Sequence, residues 1–355
     1  MNAPVEPADT RSDRGFRAAV VLCAAVIVLT ALYFTSTIFA PLAFAMLIIA
    51  VMWPLKERLQ ARLPKLVALF LTMVATVVIF AAFVSLIAWG FGGVGRFVIA
   101  DAPRYQFLYT QMTEWLEGHG IVLAGLWAEH FNVGRLIGLF QQVTVRLNGM
   151  LTFSLVMLIY VMLGLLEVDD IGARLRAPSA GEFGRVALAG GAATAAKLRR
   201  YMWVRTLMSV LTGALVSVFA LAVGLPLAAE WGVIAFALNY IPFIGPFIAT
   251  VFPTLFAIAQ FPSWEMAVVV FACLNLIQFL VGSYLEPRIA GSALSMSPFL
   301  VLFSVFFWAF MWGMTGAFIG VPIVIAVLTQ CAQHPSTQWI AELLGGTGTE
   351  RKATK

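Results

Sequence analysis

Residues 230–260 read EWGVIAFALNYIPFIGPFIATVFPTLFAIAQ, and residues 298–330 read PFLVLFSVFFWAFMWGMTGAFIGVPIVIAVLTQ. Both are apolar almost throughout, and both are broken near the middle. The first breaks at 239–246, Asn-Tyr-Ile-Pro-Phe-Ile-Gly-Pro, and the second at 313–316, Gly-Met-Thr-Gly. A straight helix over either segment would reach about 48 Å at 1.5 Å per residue, against a hydrocarbon core of about 30 Å. Two half-length helices joined at the break would instead fit as a re-entrant hairpin. Pro242 and Pro246 bring no N–H donor, and glycine tolerates unusual backbone angles. Backbone groups freed at such a break are stable at membrane depth only where protein or a wet cavity receives them. A single kinked crossing per segment is the other reading of the same residues.

The composition assigns the surrounding chain to lipid. Of 355 residues, 61% are hydrophobic and 11% charged, with a mean hydropathy of +0.95. A soluble domain carries about 25% charged residues, and so few charges could not cover a soluble surface of this size. Other apolar runs read as full spans at 17–38, 40–54 (after the kink-capable Pro41), 66–91, 149–167, 206–224 and 265–284. The first follows a polar, then basic, N-terminus. Its apolar core of about 20 residues is too long for a signal peptide and lacks a small-residue cleavage site. The predicted fold class is all-α: a polytopic integral membrane protein with about six full spans plus two re-entrant helical hairpins.

Charge divides the remainder. Residues 92–148 carry Arg96, Asp101, Arg104, Glu114, Glu117, Glu129, Arg135 and Arg146 between aromatics. They read as an extramembrane helical region, serving as a lid, an oligomer contact or a plain connector. From Glu167 to Arg205 a charged stretch ends in what reads as a basic helix on the membrane surface, where it would meet anionic lipid headgroups. The expected domains are 1–91, N-terminal spans; 92–148, extramembrane; 149–205, fourth span and basic surface helix; 206–330, core; and 331–355, tail. The net charge is +5. Lys56, Arg58, Arg62 and Lys65 follow span two, while the loop before it is uncharged. The positive-inside rule then places both termini in the cytoplasm and 92–148 outside. The basic residues sit beside apolar spans rather than on one soluble face, so nucleic acid is not an expected partner.

On that orientation the pattern of one span followed by one broken hairpin occurs twice, in opposite senses: 206–224 with 230–260, then 265–284 with 298–330. Interrupted hydrophobic segments at matching places in inverted halves are the best sequence pointer to a transport site.

The motifs NYIPFIGP at 239–246 and LEPRIAG at 285–291, continued through Leu294, Pro298, Gly313, Gly316, Gly320 and Pro322, resemble the autoinducer-2 exporter family of bacterial and archaeal membrane permeases. The layout is similar over nearly the whole chain. The resemblance implies a bacterial inner-membrane exporter of a small polar solute, with autoinducer-2 as the namesake. It also implies a homo-oligomer, a pentamer among the options, and some members are similar to Na+(Li+)/H+ antiporters. Where the family often has Leu-His before Pro298, this chain has Met296-Ser297, so a role for that histidine has no bearer here.

The candidate substrate path comprises Asn239, Tyr240, Pro242, Gly245, Pro246, Asn275, Gln278, Glu286, Arg288, Pro298, Gly313, Gly316, Gly320 and Pro322. An unpaired amide is costly in lipid, so Asn239 should face protein, water or solute, or else cap the break. Glu286 could carry a coupling proton if buried, or pair with Arg288 at the interface. Asn275 and Gln278, three apart, could line a polar path or bond between helices. Gly316 and Gly320 form a GxxxG that permits close packing. Glu230 and Glu265 flank the first hairpin and read as interfacial. Cys23, Cys273 and Cys331 lack metal-ligand spacing, as do His119, His130 and His334, so no metal or other cofactor is expected. The chain has no GxxxxGK[ST], HExxH or GxSxG, so it does not read as an enzyme.

The favoured function is a secondary transporter of a small polar solute driven by an H+ or Na+ gradient. A cation/proton antiporter is the alternative within transport. A non-transporting scaffold organised through 92–148 and 182–205 is the alternative from another class.

Overall fold

The computed structural model describes residues 10–118, 133–261, 263–290, 296–334 and 337–345. Part of the expected extramembrane region (119–132), Gly291 and Leu294 of the signature, and the basic tail with Arg351, Lys352 and Lys355 lie outside the described residues. Among the described residues the chain is helical, with one lone bridge between Met296 and Gly345 and no strand.

Helix α1 (Thr10–Phe34) meets α2 (Ser36–Gln60) at Thr35, and α3 (Lys65–Ala100) runs back and is followed by α4 (Ala102–Gly118). Two long helices come next, α5 (Val133–Arg176) and α6 (Gly181–Ala222). The pair α7 (Ala228–Leu238) and α8 (Ile244–Gln260) holds the first broken segment. Helix α9 (Trp264–Gln278) passes through a π-helical turn, Phe279–Leu285, into α10 (Glu286–Ala290). Helix α11 (Pro298–Cys331) holds the second broken segment, and α12 (Gln338–Leu344) follows.

Among the described residues six helices are long and apolar enough to cross a membrane, α11 among them. Their outward faces carry large apolar side chains in the open, such as Leu66 and Phe70 on α3 or Val218 and Leu221 on α6. Lipid tails accept such a surface and water does not.

Both broken segments fold back on themselves. Trp231, near the start of α7, packs edge-on against Phe256, near the end of α8, with ring centroids 5.2 Å apart. Only an antiparallel pair allows that contact. At the turn Phe243 adopts φ 63, a left-handed conformation that is strained for a bulky residue. In α11 the chain leaves helical geometry at Trp312 (φ −132, ψ 16) and Gly313 (φ 65, ψ −144). A straight helix would set residues 304 and 320 about 24 Å apart. Instead a Cβ added to Gly320 would lie 2.7 Å from the Ser304 carbonyl oxygen. The two arms of α11 therefore lie backbone to backbone, with Gly316 and Gly320 in the seam. Single kinked crossings do not fit these contacts. With α11 folded back, α2, α3, α5, α6 and α9 with its π-helical continuation remain as single crossings among the described residues, and the apolar part of α1, Ala19–Phe34, is shorter.

The core is divided accordingly. One apolar cluster joins α7, α8 and α9 to the end of α6, through Val216, Trp231, Ile234, Phe256 and Val270. Another seats α11 against Leu47 of α2 and Leu198 and Tyr201 of α6. A third knits α2, α3 and α5. Helix α4 is tied to the end of the first hairpin. Arg104 donates to the Gln260 carbonyl (3.2 Å), and Gln260 Nε2 reaches Asp101 (3.4 Å) and the Tyr105 hydroxyl (3.3 Å). Burial there pushes the Tyr105 hydroxyl above its ordinary pKa.

Three sequence expectations change. The break between the first two spans falls at Thr35, not Pro41, which sits buried inside α2. Span two continues through Pro54 to Gln60, so Lys56 is not a loop charge: it is fully buried, 2.9 Å from Asp169 of α5, and also donates to the Leu165 carbonyl. The basic stretch 182–205 is not a separate surface helix. No proline interrupts the chain between Pro178 and Pro226, and α6 runs as one rod of about 63 Å. Two of its arginines bind backbone: Arg199 donates to the Ala50 carbonyl (3.1 Å) and Arg200 to the Ile289 carbonyl at the end of α10 (2.7 Å). A cation is favoured at a helix C-terminus because the last carbonyls there lack helical donors.

Candidate functional site

Along α6, Tyr201, Arg205, Ser209 and Thr212 recur every three or four residues and are all buried, forming one polar stripe on the membrane-spanning part of the helix. The tip of the first hairpin docks on this stripe. Asn239, at the C-terminus of α7 and 5% exposed, donates from Nδ2 to Ser209 Oγ at 3.3 Å. The Tyr240 hydroxyl donates to Thr206 Oγ1 at 3.0 Å. The turn that places them needs Gly245, because a Cβ there would overlap the Leu238 carbonyl oxygen. Pro242 is buried within the turn, and Pro246 follows in the first turn of α8, where its carbonyl accepts from Thr250 at 3.0 Å.

One turn along α6 from Ser209, Arg205 Nη1 meets Glu286 Oε2 at 3.1 Å. Both side chains are largely buried, at 9% and 15% exposure. Glu286 opens α10 directly after the π-helical turn, a geometry that often marks functional places because it locally re-aims side chains. This corrects the expected pairing with Arg288, which lies over the Tyr284 ring at 4.0 Å. Residues two apart on a helix point to different sides.

Gln278 and Asn275 separate. The Asn275 amide is exposed and bonds back to the Phe271 carbonyl of its own helix (2.8 Å), so it joins no polar path here. Gln278 Nε2 is buried without a hydrogen-bond partner among the described residues, and so is Thr212 Oγ1. An unmet buried donor costs about 1–3 kcal/mol, so such groups suit a place that receives water or solute.

The second hairpin meets the first at an aromatic contact: the Tyr240 and Phe318 rings stack, with centroids 5.5 Å apart. Pro298 starts its first arm, capped by Ser297, whose Oγ accepts from the Leu300 N–H at 3.2 Å. Gly313 makes the fold-back, Gly316 and Gly320 line the seam between the arms, and Pro322 is buried in the second arm. The tip at Trp312 is pinned by its indole N–H donating to the Leu32 carbonyl of α1 at 3.1 Å. Glu230, as a flanking acid, packs on Gly93 of α3.

The structure thus gathers Asn239, Tyr240 and Glu286 against α6 and leaves Asn275 and Arg288 outside that group. It adds Tyr201, Arg205, Thr206 and Ser209. Their sequence signal was a polar residue every third or fourth place in an apolar helix, which the neighbouring run of Lys and Arg obscured. No cluster of His, Cys, Asp and Glu that could hold a metal occurs among the described residues. The arrangement offers neutral hydrogen-bonding groups and one carboxylate already neutralised by arginine. Its neutral groups can hydrogen-bond a polar solute, and its carboxylate is held by arginine.

A family model described as AI-2E family transporter matches residues 22–334. The AI-2 transport protein TqsA of Escherichia coli (strain K12) is 27% identical over 343 residues, covering 95% of this chain and 97% of its own length. A protein of Haemophilus influenzae provisionally named a transport protein is 24% identical over 343 residues, covering 91% of this chain and 94% of its own. A similarly named protein of Borreliella burgdorferi is 36% identical over 132 residues, 37% of this chain and 36% of its own length.

Proposed function

The chain belongs to the AI-2E transporter family, and from that premise we propose that it is a secondary transporter exporting a small polar solute, autoinducer-2 or a similar signalling metabolite, driven by an ion gradient. Its transport core is 206–330. Both termini lie in the cytoplasm, and the protein works as a homo-oligomer in a bacterial inner membrane. The observation that carries the reading is the meeting of two oppositely directed hairpins at Tyr240 and Phe318, beside a polar stripe on α6. Broken helices around a polar site between inverted halves are the architecture of alternating access. The solute would pass Asn239, Tyr240, Gln278 and the hydroxyls of α6, where neutral groups predominate.

A second reading, Na+(Li+)/H+ antiport, is favoured by the buried Arg205–Glu286 pair. A carboxylate held by arginine in a low-dielectric place can trade that partner for sodium or a proton.

Flux in proteoliposomes under an imposed proton gradient tests both. Gradient-dependent movement of autoinducer-2, lost in Asn239→Leu, is the expected result. Proton movement on adding sodium, with no autoinducer-2 flux and with loss in Glu286→Gln, would replace it by the antiporter reading.

A further inference from the structure

A separate cavity of about 770 Å³ opens at the tip of the second hairpin, between the α1–α2 junction and α5. Five hydroxyl-bearing residues line it, Tyr33, Ser36, Thr37, Thr152 and Thr315, and among the described residues no charged side chain does. Its walls are aromatic, formed by Phe153, Phe310 and Trp312. Tyr33 stacks on Phe310 with centroids 5.9 Å apart, and Trp312 is bonded to Leu32, so the wall joins α1 to the hairpin tip. The size and the mixture of apolar wall with a few convergent polar groups are those of a small-molecule site, for which about 300–1,000 Å³ is usual.

Backbone chemistry points the same way. Trp312 and Gly313 leave the helical ladder at this cavity, and irregular backbone is stable at membrane depth only where buried in protein or lining a wet space. The Trp312 carbonyl is met by Thr315 Oγ1 at 2.7 Å. Next to the lining residue Ala40, Pro41 has no N–H to donate to the Thr37 carbonyl four residues earlier. The hydroxyls of Tyr33, Ser36, Thr37 and Thr152 have no hydrogen-bond partner among the described residues. Among the described residues an ionic solute would find no counter-charge here and would be desolvated at a cost. A neutral solute with several hydroxyls would meet matched donors and acceptors, and its carbon face would lie on the rings.

We propose that this cavity is the outer binding site for an uncharged, multiply hydroxylated small solute. The outer placement rests on the transport orientation above; the solute class rests on the lining. Protection from labelling and flux, measured side by side, test it. A single Ser36→Cys or Thr152→Cys is placed in a background with Cys23, Cys273 and Cys331 replaced by alanine. The reconstituted protein is treated with a membrane-impermeant thiol reagent, with autoinducer-2, its phosphorylated form or D-ribose present. Saturable protection by autoinducer-2 and none by the phosphorylated form is expected. In the triple variant Ser36→Ala, Thr37→Val, Thr152→Val, KM for flux should rise about tenfold with kcat retained, the loss of two or three neutral hydrogen bonds. Protection by ribose, with autoinducer-2 neither protecting nor moving, supports the cavity and removes autoinducer-2 as the solute. Equal protection by the charged form overturns the solute class. Autoinducer-2 flux without protection, and with KM unchanged in the triple variant, overturns the site and leaves the transporter reading standing.

Discussion

Glu286 shows how much rests on one partner. Its carboxylate lies 3.1 Å from Arg205, and both are largely withdrawn from solvent. A buried pair adds little net stability, but removing one member strands a charge and costs about 3–5 kcal/mol. Arg205→Met and Glu286→Leu should each lower unfolding stability in detergent by that order. The double variant should recover most of the loss, as a thermal-melt double-mutant cycle would read. If the losses simply add, the two residues are not coupled. Gly245 and Gly313 are limiting for a different reason. A Cβ on Gly245 would overlap the Leu238 carbonyl, and Gly313 holds φ 65. Alanine at either place should cost about 1–3 kcal/mol and lower the melting temperature. An unchanged melting temperature in both would argue against these turns.

At the scale of elements, the hairpins make a claim about sidedness. In a fold-back, both ends of the segment leave the membrane on one face. In a single kinked crossing, they leave on opposite faces. Cysteines at Ala229 and Ser263, flanking the first hairpin, should both react with an impermeant thiol reagent from outside. Ser297→Cys and the native Cys331, flanking the second, should both react only from the cytoplasmic side. Reaction of Ala229→Cys and Ser263→Cys from opposite faces would end the hairpin description of 230–260. The contacts between Trp231 and Phe256, and between Ser304 and Gly320, predict the first outcome.

For the whole molecule, both hairpins are held in the core, the first against the end of α6 and α9 and the second against α2 and α6. Each is a short helix pair joined by a strained or glycine turn, and the two touch through Tyr240 and Phe318. The remaining spans are fastened elsewhere. Lys56 and Asp169 lock α2 to α5, and Arg199 ties α6 to α2. Helix α4 holds the end of the first hairpin through Gln260. The loss of flux expected for Asn239→Leu tests the docking of the first hairpin on α6 as well as one amide.

The amino-acid sequence alone determined the lipid environment, the helical class and the two breaks at 239–246 and 313–316. Hydropathy and the missing N–H of proline act locally, within one turn or one span, so they can be read from neighbours in the chain. It also carried the family signature. Tertiary structure decided what local order cannot specify. Glu286 takes an arginine 81 residues away in preference to Arg288 two residues away, and Lys56 takes Asp169 across 113 residues. The first break falls at Thr35 and not at Pro41, which lies buried inside α2. Asn275 was lost from the path because its amide bonds to its own helix. The cavity at the second hairpin tip draws its hydroxyls from α1, α2, α5 and α11, four segments whose approach is set by burial and not by sequence spacing.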